Sequence, residues 1–206
     1  MNITAEHCYT VYCSTIHDYH IEDKVDQVMH NPYPLTVIEH HLYRKNWIDT
    51  VQWHLEDLIR DPDIEPVNAL KIKRRIDAYN QKRTDMVEEI DEYFEKQLMQ
   101  IKPAAQVRHN SETPGWALDR LSILSLKEYH LEAELLRESI TGQHRAKCLV
   151  RKKILMEQKT DLLQSINWLI EDLESGKIRM KSYKQLKMYN DPAFNPVLYQ
   201  KEKQSS

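Results

Sequence analysis

Apolar side chains recur along this chain at intervals of three and four, the spacing of one face of an α-helix. Ile16, Ile21, Val25 and Val28 mark a first helix over about 15–30, closed by Asn31-Pro32-Tyr33-Pro34. Pro34 suits the first position of a second helix, which runs to Arg60 before Asp61-Pro62-Asp63 stops it. A third helix spans 64–101, with Pro103 just beyond. Thr113 caps a fourth and Pro114 opens it; it ends near Thr141-Gly142. The fifth spans 144–175 and stops at Gly176. After it, "KIRMKSYKQLKMYNDPAFNPVLYQ" mixes a short helical piece with Asn-Asp-Pro and Asn-Pro turns. No strand pattern competes. The expected fold is all-α: an antiparallel bundle of about five long helices with an irregular C-terminal strap. It forms a single domain over 1–206, with about 1–14 and 200–206 flexible.

The faces of these helices are not uniformly apolar. On the third, Asn80 and Arg83 fall inside the stripe formed by Ala69, Ile72, Ile76, Val87, Ile90, Phe94, Leu98 and Ile101. A buried guanidinium without a partner is costly, so it requires a carboxylate from a facing helix or a ligand. The second helix has an apolar stripe, Val37, Ile48, Val51, Leu55 and Leu58. Its other side carries Asn46, Trp53 and Asp57, flanked by Asp49, Glu56 and Arg60. That side is either sandwiched by a neighbour or walls a pocket. The fourth helix is apolar all round, with Asp119, Arg120, Lys127 and His130 scattered through it. The expectation is a central helix whose charges pair outward, Asp119 with Arg83 and Asp57 with Arg120.

Composition agrees with helices. The chain has 206 residues, only 3 Gly and 2 Phe, with 30% charged and 41% hydrophobic side chains. No run is long and apolar enough for a membrane span, and no secretory leader is visible, so a cytoplasmic location is expected. Cys8, Cys13 and Cys148 have no zinc-site spacing. Metal templates fit poorly: the paired Glu-x-x-His motifs of di-metal bundles are absent, and Glu88-x-x-Asp91 and Glu171-x-x-Glu174 are spacings that chance supplies. No metal ligand is therefore assigned, and no cofactor is identified. His54 reads as a core residue near Tyr43 and Trp47. Ser122 and Ser125 read as helix-contact residues.

Four blocks carry a resemblance: "WHLEDLIRDPDIEP", "KRRIDAYNQKRTDMVEEID", "ETPGWALDRLSILSLKEYH" and "YKQLKMYNDPAFNPVLY". Together, over about 40–200, the chain resembles the bacterial domain-of-unknown-function family numbered 4254. The resemblance implies a bacterial, cytoplasmic, helical protein with a link to envelope-polysaccharide biology, and no particular chemistry. The family's polar positions fall on Trp53, Glu56, Asp57, Arg74, Asp77, Asn80, Arg83, Asp91, Glu112, Asp119, Arg120, Lys184, Lys187 and Asn190.

Three functions are consistent with these residues. The first is a binding or scaffold protein whose polar layer is structural. The second is an enzyme or binding protein for an anionic, phosphorylated small molecule such as a nucleotide or sugar nucleotide. There Arg83, Arg120 and Lys184 hold the anion, Asp57 and Asp119 orient them or act as acid and base, and Trp53 stacks on a ring. Glu56, Asn80 and Lys187 complete that ligand-binding set. The third is a nucleic-acid binder using the basic tail, Lys177, Arg179, Lys181, Lys184 and Lys187 interleaved with Tyr183 and Tyr189, and it is the least favoured partner. A homodimer is a further expected assembly, since the third helix is very long.

Overall fold

The computed structural model describes residues 3–184 and 192–194. Five helices carry the fold: α1 (Ala5–Glu22), α2 (Ile38–Leu58), α3 (Pro66–Leu98), α4 (Pro114–Leu136) and α5 (Gly142–Glu174). The architecture is an all-α bundle. α4 packs against each of the other four helices, and α2 against α1, α3 and α4. No helix among the described residues is long and apolar enough to cross a membrane.

Local chemistry sets the helix ends. Thr113 caps α4 by accepting from Trp116 N at 3.3 Å, and Pro114 occupies the first turn. Thr141 does the same for α5 through His144 N, so Gly142 opens that helix rather than ending the one before it. α4 therefore finishes at Leu136, earlier than the sequence suggests. α5 stops where Gly176 turns to φ +70. A side chain there would also collide with Lys102 O, since a Cβ would stand 2.4 Å from it. α2 begins at Ile38, after Pro34 rather than on it.

The first helix corrects the sequence reading most. The segment expected to be flexible, up to residue 14, is helical from Ala5, and the helix ends at Glu22 instead of 30. Thr4 caps it by accepting from His7 N at 3.2 Å, and Asp23 closes it in a left-handed conformation, φ 53. Its inner face is Ala5, Cys8, Val11, Tyr12, Thr15, Ile16 and Tyr19, all buried. Aliphatic spacing pointed to Ile21 and Val28, which are exposed. The face is built from small and aromatic residues, and a search for branched aliphatics misreads it. Each large apolar side chain so buried contributes roughly 1.5–3 kcal/mol, so α1 is a structural part of the core.

Two short strands depart from the expectation of none. β1 (Arg108–His109) pairs in parallel with β2 (Ile178–Arg179). Ala104 N donates to Gly176 O and Arg108 N to Lys177 O, both at 3.0 Å. The backbone after α5 thereby ties down the long link between α3 and α4.

α3 and α4 approach closely at Gly115. A Cβ at that position would stand 2.5 Å from Val87 O and 2.7 Å from Asp91 Oδ1. Gly115 N donates to Asp91 Oδ1 at 2.7 Å, so a buried carboxylate on α3 satisfies a free amide in the first turn of α4. Burial raises the Asp91 carboxyl to about 6, against the lowering pull of Thr113 and Gly115.

Candidate functional site

The charges that the sequence scatters over three helices meet in one layer. α2 supplies Lys45, Asn46, Asp49 and Gln52, all buried. α3 supplies Asn80 and Arg83, and α4 supplies Asp119, Ser122 and Ser125. Lys45 is fully enclosed. Its Nζ bonds Asp49 Oδ2 one turn along α2 and Asp119 Oδ1 at 2.6 Å across to α4. Arg83 Nε donates to Asp49 Oδ1 at 2.7 Å, and its Nη2 to Asp119 Oδ1 at 3.2 Å. Two cations and two carboxylates thus cancel inside the bundle. Ser122 Oγ donates to Asp49, and Asn46 Nδ2 donates to Ser122 Oγ at 2.9 Å. Gln52 Nε2 reaches Asn80 Oδ1 at 2.7 Å.

Electrostatics follow from this packing. Burial pushes the Asp119 carboxyl up, but Lys45 and Arg83 outweigh it, so the group titrates below the usual carboxylate range. Burial likewise pushes Arg83 down, and Asp49 and Asp119 overcome that and raise it. Each of these four charges therefore has an oppositely charged partner within the layer. The expected Asp119–Arg83 pair is present. The expected Asp57–Arg120 pair is not: Arg120 bonds Glu112, just ahead of its own helix.

The outer edge of the layer opens. Arg83, 25% exposed, lines a cavity of about 430 Å³ with Asp49, Gln52, Trp53, Glu56, Asp57, Arg60 and Ile123. Four predicted site residues, Trp53, Glu56, Asp57 and Arg83, therefore share one cavity. Asp119 and Arg120 line a neighbouring one of about 400 Å³ beyond Ile123. Asn80 lies one layer in, bonded to Gln52. Lys184 is exposed and lines neither cavity, and Lys187 lies outside the described residues. Of the basic tail, Lys177 pairs with Asp172 at 3.3 Å and Lys181 sits over the Tyr183 ring at 5.0 Å. Tyr189 also lies outside the described residues.

A second cluster escaped the sequence reading. His20 of α1, His54 of α2 and His130 of α4 each present a ligand atom within 4.8 Å of the others. His20 and His54 face each other Nε2 to Nε2 at 3.2 Å. Trp53 stacks on His130 with centroids 4.7 Å apart, Tyr19 stacks on His54 at 5.3 Å, and Tyr129 lies 4.2 Å from His20. Burial, with the two neighbouring imidazoles, lowers His130 to about 4, and burial lowers His54 as well, so burial favours the neutral form of both rings. No spacing rule finds three histidines on three different helices. Lys45 did carry a signal, standing one turn before Asp49 in a polar row continued by Gln52 and Glu56.

The fold and its charged layer define a class: an all-α bundle with a charge-balanced ionic interior. Within that class, the chain belongs to the family described as "Protein of unknown function (DUF4254)", whose model matches residues 39–182. No curated protein and no solved structure matches the chain.

Proposed function

We propose that the protein is a helical binding protein whose ionic layer is a structural element. That layer fixes the register of α2, α3 and α4 and presents the cavity rim of Trp53, Glu56 and Asp57 to a partner. The observation that carries this reading is Arg83. It is doubly hydrogen-bonded to Asp49 and Asp119, whose remaining charge Lys45 neutralises. An anion clamp needs an uncommitted cation, and both guanidinia on the cavity are taken, Arg60 by Glu56 and Arg83 by the layer. The phosphorylated-ligand alternative thus draws no support from the geometry.

The test is paired. Arg83→Leu strands two carboxylates, so the melting temperature falls and no ligand dependence appears. A thermal-shift panel of nucleotides and sugar nucleotides gives no saturable stabilisation of the wild type. Saturable stabilisation by a sugar nucleotide, lost in Arg83→Leu while the melting temperature holds, would overturn the structural reading. We also propose a cytoplasmic location in a bacterium, with a link to envelope-polysaccharide biology. The family resemblance supports both, and three unpaired thiols suit a reducing compartment.

A further inference from the structure

We propose that His20, His54 and His130, with Asp23, bind a divalent transition-metal ion of the zinc class. A tetrahedral ion holding its ligands at about 2.0–2.1 Å sets neighbouring donor atoms roughly 3.3–3.4 Å apart. Here His20 Nε2 and His54 Nε2 are 3.2 Å apart, and Asp23 Oδ1 lies 3.6 Å from the second and 3.9 Å from the first. The three ring centroids form a near-equilateral triangle with edges of 5.3, 5.5 and 5.6 Å and mutual tilts of 61–72°. Three imidazoles bound through nitrogen to one tetrahedral ion have centroid separations of roughly 5 Å.

Further features of the cluster match a ligand set. His20 Nδ1 is 2.7 Å from Ile16 O, so it donates there and its Nε2 carries the lone pair, turned toward His54 Nε2; metal-bound histidines are oriented in this way. His130 Nε2 is buried and has no hydrogen-bond partner, a cost that an acceptor of its lone pair or of its proton would remove. Each imidazole is held in place by an aromatic neighbour. The rings bind as neutral ligands and keep one N–H each, so no oxidation or net protonation is involved. An approach path exists as well. A cavity of about 650 Å³ reaches His54 past Asp23, Asp26, Asp57 and Asp61, with Lys24 its single cation. Asp23, 55% exposed, is the ligand nearest solvent. This site is separate from the ionic layer, and its test does not depend on the function proposed above.

The experiment is a competition titration of the full chain, stripped with a chelator, using zinc against a chromophoric chelator, with magnesium as the hard-cation control. One equivalent of zinc binds with micromolar or tighter affinity, magnesium does not compete, and cobalt(II) at the site gives the visible bands of a four-coordinate ion. His54→Gln and His130→Gln, checked by circular dichroism, each weaken binding about tenfold or more. Should either fail to fold, Asp23→Asn decides, because it alters an exposed ligand: about tenfold weaker binding supports the site, and unchanged affinity overturns it. Absence of stoichiometric binding by the wild type, or undiminished binding by a folded His54→Gln/His130→Gln chain, also overturns it.

Discussion

Replacing Lys45 with methionine tests the ionic layer directly. The side-chain volume is nearly preserved, so the cost is electrostatic. Lys45 Nζ lies 2.6 Å from Asp119 Oδ1, and at an effective dielectric constant of 20 that single contact is worth about 6 kcal/mol before desolvation. Removing the ammonium also removes its desolvation penalty, several kcal/mol in effective terms, but leaves two carboxylates sharing one guanidinium. Deletion of one partner from a buried pair costs about 3–5 kcal/mol; Asp119 is 14% exposed and Arg83 still bridges both acids, which favours the lower end, about 3 kcal/mol. Urea unfolding followed by circular dichroism measures it as a lower midpoint at unchanged slope. Adding Asp119→Asn restores one cation and one anion and recovers about 1.5 kcal/mol or more, a coupling that a double-mutant cycle reads out. The deficit also narrows as pH falls, because a proton on Asp119 replaces the missing positive charge. A loss below about 1 kcal/mol, additive behaviour in the cycle, or a deficit independent of pH each refutes the account.

Gly115→Ala forces α3 and α4 apart at Val87 and Asp91 and lowers stability by about 1–3 kcal/mol; an unchanged melting temperature contradicts the close approach. Arg120→Ala breaks only an exposed pair with Glu112 and costs no more than about 1 kcal/mol, so a loss matching that of Lys45→Met refutes the distinction between surface and layer. Folding lowers the His130 pKa from 6.5 to about 4, so the folded state resists a proton that the unfolded chain accepts. The associated stability is present above 6.5 and lost as pH falls toward 4. Metal-free wild type therefore loses more over that window than His130→Phe, and parallel melting curves would count against the shift.

The helices were legible because their stop signals are local: Asp61-Pro62-Asp63, Thr113-Pro114 and Gly176 act through neighbours in sequence. Arg83 was legible as well, since a guanidinium in an apolar row requires a carboxylate wherever that carboxylate comes from, and Asp119 supplies it. Lys45 is not legible in the same way, because it lies between the apolar stripe of α2 and its polar side, and only the packing of α3 and α4 encloses it. The partner of Arg120 was misassigned because an exposed arginine takes the nearest acid, and Glu112 lies just upstream. The histidine cluster is invisible in the sequence for a different reason: its geometry is created by the packing of α1, α2 and α4, and aliphatic spacing predicts α1 about ten residues later than it lies.

The position of α1 bears on how this protein can be divided. The family match begins at residue 39, while the helix that closes one side of α2 and α4 spans Ala5–Glu22. Ala5 N donates to Asn167 Oδ1 near the far end of α5, so early and late parts of the chain are stapled together. A fragment trimmed to the matched residues would bare the greasy surface under Tyr12, Ile16 and Tyr19, lose two of the four proposed ligands, and tend to clump. Any expressed piece meant to keep its shape has to start at or before Thr4.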